Sequence, residues 1–290
     1  MVDIFEKFFN YTPDFPSKII RDYHNVSETY LYQGLISQIT HIIISQLTDY
    51  LQPITKNEQN RLKIKNIYEG ERAFIIGNGP SLNKIDLNKL KSEVTIASNS
   101  IFLLFNETDF RPTFYTVEDT LVAEDRSKEI NKLHGMYKIF PIDLKKYLIP
   151  DENTIYINFQ RNYKNFPKFS SNFAKRVYWG GTVTFLNLQL AYYLGSREVY
   201  LVGIDHNYKQ PSPADKIEGN VITSQTADIN HFDPEYFGPG YRWHDPKVDR
   251  MEQAYIEAKR FYESHGGKIY NATVGGKLEV FPRIDFNKLF

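Results

Sequence analysis

The densest run of groups able to move protons lies late in the chain. INHFDPEYFGPGYRWHDP carries His231, Tyr236, Tyr241, Arg242 and His244 around Gly238-Pro239-Gly240. An imidazole titrates near neutral pH, which suits it to take a proton from a hydroxyl; His244, just before a segment that reads as a helix, is placed for that. Arg242 beside it favours a bound phosphate or carboxylate. The glycine-proline run, Phe237 to Arg242, is expected to be a hinged cover that keeps water from a ligand. The plainer role of such a histidine, capping or packing at a helix start, stands beside this one.

Other polar groups fall where an apolar run stops. After AFII comes Gly77-Asn78-Gly79-Pro80-Ser81. Its glycines let backbone approach a ligand, Pro80 pre-sets a first helical turn, and free amides there favour an anion. No Gly-Lys-Ser/Thr follows, and Leu82 stands at the third glycine of the dinucleotide fingerprint, so neither common phosphate loop is present. A tight strand-to-helix turn is the bland alternative. VTIAS ends at Asn99, whose amide can read a base or a ribose hydroxyl, or simply form a turn. FYTVEDT sets Glu118 beside Asp119; on a continuing strand the two face opposite ways, a poor pair for a metal. Gly180-Gly181-Thr182 precedes a helix and can form a second anion cradle, and VYLVGID ends in Asp205, His206, Asn207 and Tyr208.

These groups need elements to hold them. From Arg72 onward short β-rich runs alternate with helical ones: AFIIG, EVTIASN, TFYTVE, YKIFPI, TIYINF and REVYLVGID as strands, and Thr182 to Leu194 as a helix closed by Gly195. Asp245-Pro246 reads as the cap and first turn of a helix running to about Ser264, and KIYNATVGGKLEV as strand, glycine turn and strand. The alternation predicts an α/β fold, a modified Rossmann-like, doubly wound and mostly parallel sheet over residues 69–290. Residues 1–68 are expected to be an N-terminal helical appendage. There Ser27 caps a helix to about Leu51 whose stripe (Leu35, Ile36, Ile39, Ile42, Ile43 and Leu47) packs on the main domain or on a second copy of the chain.

Composition narrows the class. Lys+Arg and Asp+Glu both number 35 in 290 residues, which gives no reason to expect nucleic acid or an anionic membrane as partner. With no cysteine there is neither a disulfide nor a thiolate. Aromatic residues make up 15%, enough for a thick core or a ring-lined pocket. No leader or membrane-spanning run is apparent, so a cytoplasmic protein with at most peripheral membrane contact is expected.

RAFIIGNGPSL, ASNSIFL, PTFYTVEDTLVAED, GGTVTFLNLQLAYYLGSREVYLVGID, RWHDP and NATVGGKLEVFPRIDF, in that order from about Lys65 onward, resemble the motility accessory factor-like glycosyltransferases. Their domain is of the 6-hydroxymethylpterin diphosphokinase type. More distantly the chain is similar to bacterial sialyltransferases that use CMP-sialic acid. The resemblance implies that Asn78 and Gly79 lie at the nucleotide phosphate and Asn99 at the ribose or base; Gly77 and Ser81, of the same turn, are expected at the substrate with them. It places Thr182 at the sugar or phosphate, Asp205 on the cytidine side, and His244 as general base; Gly181 is expected at the substrate beside Thr182, and His231 is the runner-up base. Where those enzymes hold the phosphate with a tyrosine pair, Asn207 stands at one position, leaving Tyr208, Tyr236 or Tyr241 as substitutes.

The expected activity is transfer of an acidic sugar from a CMP-activated donor to a glycan or glycoprotein. His244, Arg242 and Tyr241 would be catalytic and Glu118 would sit at the substrate, with no cofactor required and Mg²⁺ at most a stimulant. The alternatives are a Mg²⁺-dependent pyrophosphokinase, which the pterin enzymes exemplify, and a non-catalytic nucleotide-sugar-binding subunit.

Overall fold

A computed structural model describes residues 56–290. The helix expected from Ser27 to Leu51 lies outside the described residues. Twelve strands are described. Seven form one parallel sheet: β1 (Ala73–Ile76), β2 (Val94–Ser98), β3 (Phe114–Thr116), β4 (Tyr137–Pro141), β5 (Thr154–Ile157), β8 (Glu198–Val202) and β12 (Lys268–Asn271), in the order β12-β8-β1-β2-β3-β4-β5. The expected α/β, doubly wound, Rossmann-like fold is what the chain adopts. β6 (Phe159–Gln160) pairs with β7 (Val177–Tyr178), and β9 (Lys216–Glu218), β10 (Val221–Thr223) and β11 (Arg242–His244) make a small antiparallel sheet.

The sheet is buried on both faces because its strands alternate between two apolar layers. Ala73 and Ile75 of β1, with Val199 and Leu201 of β8, face helices α4 (Val183–Leu194) and α5 (Val248–Ser264). Phe74, Ile76, Tyr200 and Val202 face the opposite layer, which includes Val122 and Ala123 of α2 (Thr120–Asp125) and Ile130 of α3 (Ser127–Ile130). α4 is apolar nearly all round and is correspondingly buried from Thr184 to Ala191. The Thr182 hydroxyl accepts the Thr184 amide at its start, and Gly195, with φ +104°, ends it as expected.

An exposed edge strand leaves backbone groups unpaired. Here α1 (Lys56–Lys63) covers β5: the Asn57 amide exchanges hydrogen bonds with the Tyr156 backbone (2.8 and 2.9 Å), and Arg61 donates to the Tyr156 carbonyl at 2.9 Å.

Three local expectations are corrected. The segment after Pro80 is a single 3₁₀ turn, Pro80–Lys84, held down where the Asn83 side chain donates to the Phe232 carbonyl. Asp245-Pro246 does not start α5: the Asp245 amide donates to the Asn220 carbonyl and continues the β10–β11 pairing, so the helix opens at Val248. Residues beyond β12 form no second strand. The Asn271 side chain bonds the Leu278 carbonyl and the Thr273 amide, folding Gly275-Gly276 back against Asp205.

Chain order reverses between β1 and β8, the switch point where α/β sheets leave a crevice at the carboxyl ends of their strands. The two ends are stitched together there: the Gly77 amide donates to the Val202 carbonyl and the Gly79 amide to the Gly203 carbonyl, at 2.8 and 2.9 Å. A Cβ at Gly77 would lie 2.5 Å from the Gly203 carbonyl oxygen. Gly77→Ala is therefore expected to cost about 3 kcal/mol in urea unfolding, as backbone overpacking does; an unchanged midpoint would show that the two strand ends are not locked.

Candidate functional site

At that switch point lies a cavity of about 880 Å³. Its floor is the turn after β1 and the polar end of β8, one wall is the start of α4, and the cover is the β10–β11 sheet with the loop before it. Gly77, Asn78, Gly79, Asn99, Glu118, Gly181, Thr182, Asp205, Asn207, Tyr208, His231, Tyr236 and His244, all singled out from the sequence, line it. Ser81, Tyr241 and Arg242 do not.

Of the three histidines that line this space, His206, His231 and His244, the last two are each oriented by a carboxylate. His244 sits at the end of β11 with its Nδ1 2.9 Å from Asp119 Oδ2. β3 has already ended at Thr116, so Asp119 is no longer a strand residue. It caps α2, accepting the Leu121 amide at 2.7 Å with its other oxygen. The bond to Asp119 raises the His244 pKa above its ordinary value, burial opposing and the Asp119 charge assisting. Burial pushes the other way on Asp119 too, but the His244 hydrogen bond and charge and two amides take its carboxyl below the usual range. With Nδ1 engaged, Nε2 is left for a substrate.

His231 makes a second pair, its Nδ1 2.7 Å from Asp228 Oδ2. Its ring lies flat on Tyr236, centroids 3.9 Å apart. Asp228 is also fixed by the amides of Asn230 and Phe237. Tyr236 is fully buried with its hydroxyl against Asn99 and Ser100.

The turn after β1 is not the open anion cradle its glycines suggest. The Gly77, Gly79 and Leu82 amides donate to backbone carbonyls. The Ser81 amide and hydroxyl are taken by Asp205, the hydroxyl at 2.6 Å. A carboxylate of the chain itself thus holds the anion position, and Ser81 supports Asp205 from outside the cavity.

The α4 end offers more to an anion. Gly181, at φ +81°, lies under Arg250, whose Cδ is 3.4 Å from where a side chain at Gly181 would begin. The Arg250 guanidinium lies over the Trp179 ring and makes no salt bridge among the described residues. Its position six residues after His244, in the first turn of α5, was a signal that sequence reading passed over.

Arg242, by contrast, is already spent. It forms a fork on Asp125 and reaches Glu124 at 3.0 Å. Beside it the Arg126 side chain, 6% exposed, donates to the Tyr241 hydroxyl at 2.8 Å and to the Glu235 and Tyr236 carbonyls. The expected hinge, Phe237 to Arg242, is therefore a cover fastened to α2, and neither Arg242 nor Tyr241 reaches the ligand space.

Several buried polar atoms around the cavity have no partner among the described residues: Asn78 Oδ1, Asn99 Oδ1, Glu118 Oε2 and His206 Nε2. Asn99 and His206 also hold left-handed backbone, φ +54° and +49°, strain of the kind that gathers at ligand sites. Glu118 is 5% exposed, and burial lifts its carboxyl pKa to about 8, with Arg161 opposing and Asp119 and Asp143 adding to the rise.

Of the carboxylates lining the cavity, Asp119 is bonded to His244 and to the start of α2, and Asp205 to Ser81. Among the described residues no group of three or more His, Asp or Glu is arranged to hold a metal. Nor is any helix among them long and apolar enough to cross a membrane.

In Asp119→Asn the imidazolium loses its carboxylate, so the His244 pKa should fall from its raised value toward 6.5, read by NMR titration of the ring C–H signals. A value that stays put would mean that Asp119 does not set it.

No curated protein matches the chain. Among solved structures it is similar to a MAf glycosyltransferase from Magnetospirillum magneticum AMB-1, at 19% identity and a TM-score of 0.47, over 81% of this chain and 38% of that one. The chain thus spans well under half the length of that neighbour. The family model described as 6-hydroxymethylpterin diphosphokinase MptE-like matches residues 45–211, more than half of the chain, including the turn after β1, Asp119, the start of α4 and the polar end of β8. The chain belongs to the 6-hydroxymethylpterin diphosphokinase MptE-like family.

Proposed function

We propose that the chain is a glycosyltransferase that moves an acidic sugar, a sialic acid-like nonulosonate or Kdo, from its CMP-activated form to a hydroxyl of a glycan or glycoprotein. The observation that carries the reading is the Asp119-oriented imidazole of His244 sharing one cavity with the start of α4 and Arg250. On this reading His244 Nε2 takes the acceptor's hydroxyl proton as that oxygen bonds to the anomeric carbon. The bond from that carbon to the phosphate oxygen breaks, and the electron pair leaves with CMP. Charge growing on the phosphate meets the positive end of α4, as expected from the sequence, and the Arg250 guanidinium, which takes the part expected of Arg242. A single displacement of this kind inverts the anomeric centre. The reaction would take place where nucleotide-sugar donors are made, in the cytoplasm.

Family membership leaves the reaction open, since one fold hosts several chemistries. The family model's description names a diphosphokinase. A thermal-shift panel of CMP, CDP, UDP, GDP and ATP, each with and without Mg²⁺, separates the two. CMP or CDP is expected to raise the melting temperature without metal, because a ligand of the native state stabilises it. A response to ATP with Mg²⁺ alone would overturn the transferase reading. With a CMP-sugar donor, His244→Ala should lower kcat by about 10²- to 10⁴-fold while CMP still stabilises the protein; undiminished turnover would remove His244 from the reaction.

A further inference from the structure

Glu118 belongs to neither histidine pair, and the transfer steps above leave it without a task. The residue lines the cavity, yet it is 5% exposed and its Oε2 has no partner among the described residues. Its surroundings are specific. Arg161, after β6, donates to the Glu118 carbonyl at 2.7 Å, so the guanidinium is bonded to backbone rather than to the carboxyl. The same guanidinium is held by Asp143, after β4, at 2.7 Å. Asp119 at the α2 cap, Tyr163, and Tyr255 of α5 complete the charged and titratable groups around it. Tyr255 links it to the far wall: fully buried, it packs its hydroxyl against the Thr182 and Thr184 side chains at the start of α4.

We propose that Glu118 serves as a neutral acid that donates a hydrogen bond to an oxygen of a bound phosphate, completing with the start of α4 and Arg250 a subsite for one oxyanion. Three observations converge on it: a twelve-residue helix whose first turn opens on the cavity, an arginine beside that turn with no carboxylate partner among the described residues, and, reached through Tyr255, a buried carboxyl with an unmatched oxygen. A helix start and a cation attract an anion. An ionised carboxylate lining the same cavity would repel it, whereas a carboxylic acid kept neutral by its surroundings can donate to it. Burial supplies that condition, with the pKa of Glu118 near 8. The sign follows: the anion binds the protonated form, so affinity is full below about pH 8 and falls above it.

The subsite rests on the transferase reading only for the identity of the nucleotide. Isothermal titration with CMP and with sulfate, both of fixed charge between pH 7.5 and 9.5, tests the two separately. For the unmodified protein both affinities are expected to fall about tenfold or more across that range. Glu118→Gln keeps a donor that does not titrate, so its affinities should stay within about twofold. Arg250→Ala should weaken both probes at each pH and keep the fall. An equal fall in Glu118→Gln and the unmodified protein would overturn this inference and leave the transferase reading standing. A Glu118-dependent fall for sulfate with no CMP binding at any pH would support the subsite and overturn the nucleotide assignment.

Discussion

The attachment of β11 to α2 governs the site. Both elements are short, three and six residues, and Asp119–His244, Asp125–Arg242 and Arg126–Tyr241 fasten one to the other from end to end. An exposed ion pair contributes little, about 0–1 kcal/mol. Arg126, however, is almost wholly buried and satisfies a hydroxyl and two carbonyls, and such a group is costly to leave unmatched. Cover and imidazole therefore form one unit. The contacts that close the cavity also aim His244.

The parallel sheet decides where that unit sits. Strand order reverses at β1 and β8, whose ends are bonded together by the Gly77 and Gly79 amides, and the crevice opens above them. Tying these amides into the floor removes them from ligand binding. What is left for an oxyanion lies across the cavity, where α4 begins and Arg250 lies over Trp179. The ends of the central strands hold the unmatched amide oxygens of Asn78 and Asn99, which suit a donor-bearing group instead.

Much of this was legible in the sequence, for local reasons. Runs such as AFII and VYLV announce strands buried on both faces, and Thr182 and Gly195 bracket α4 by capping chemistry that needs no tertiary partner. Polar residues that follow such runs fall at the strand ends in any parallel sheet, which is why most of the candidates gather round one cavity. What stayed hidden depends on partners far along the chain. Asp119 and His244 are 125 residues apart, and Arg242 and Asp125 are 117 apart, so no spacing rule joins them. Arg242 looked like a phosphate ligand because its two carboxylates could not be seen. The first loop looked open because Asp205, 124 positions from Ser81, could not be seen either.

That last contact has a consequence for how this architecture changes its specificity. Ser81 presents an amide and a hydroxyl to one carboxylate, and Asp205 completes the match from the next strand. The chain carries, in effect, a plugged socket. Shortening the plug at position 205 would uncover two donors at the foot of the central strands and create a second landing place for negative charge, with no change in backbone. On the transferase reading, relatives that differ there would grip a nucleotide in a different register, and the identity of that one side chain would foretell which phosphate sits deepest.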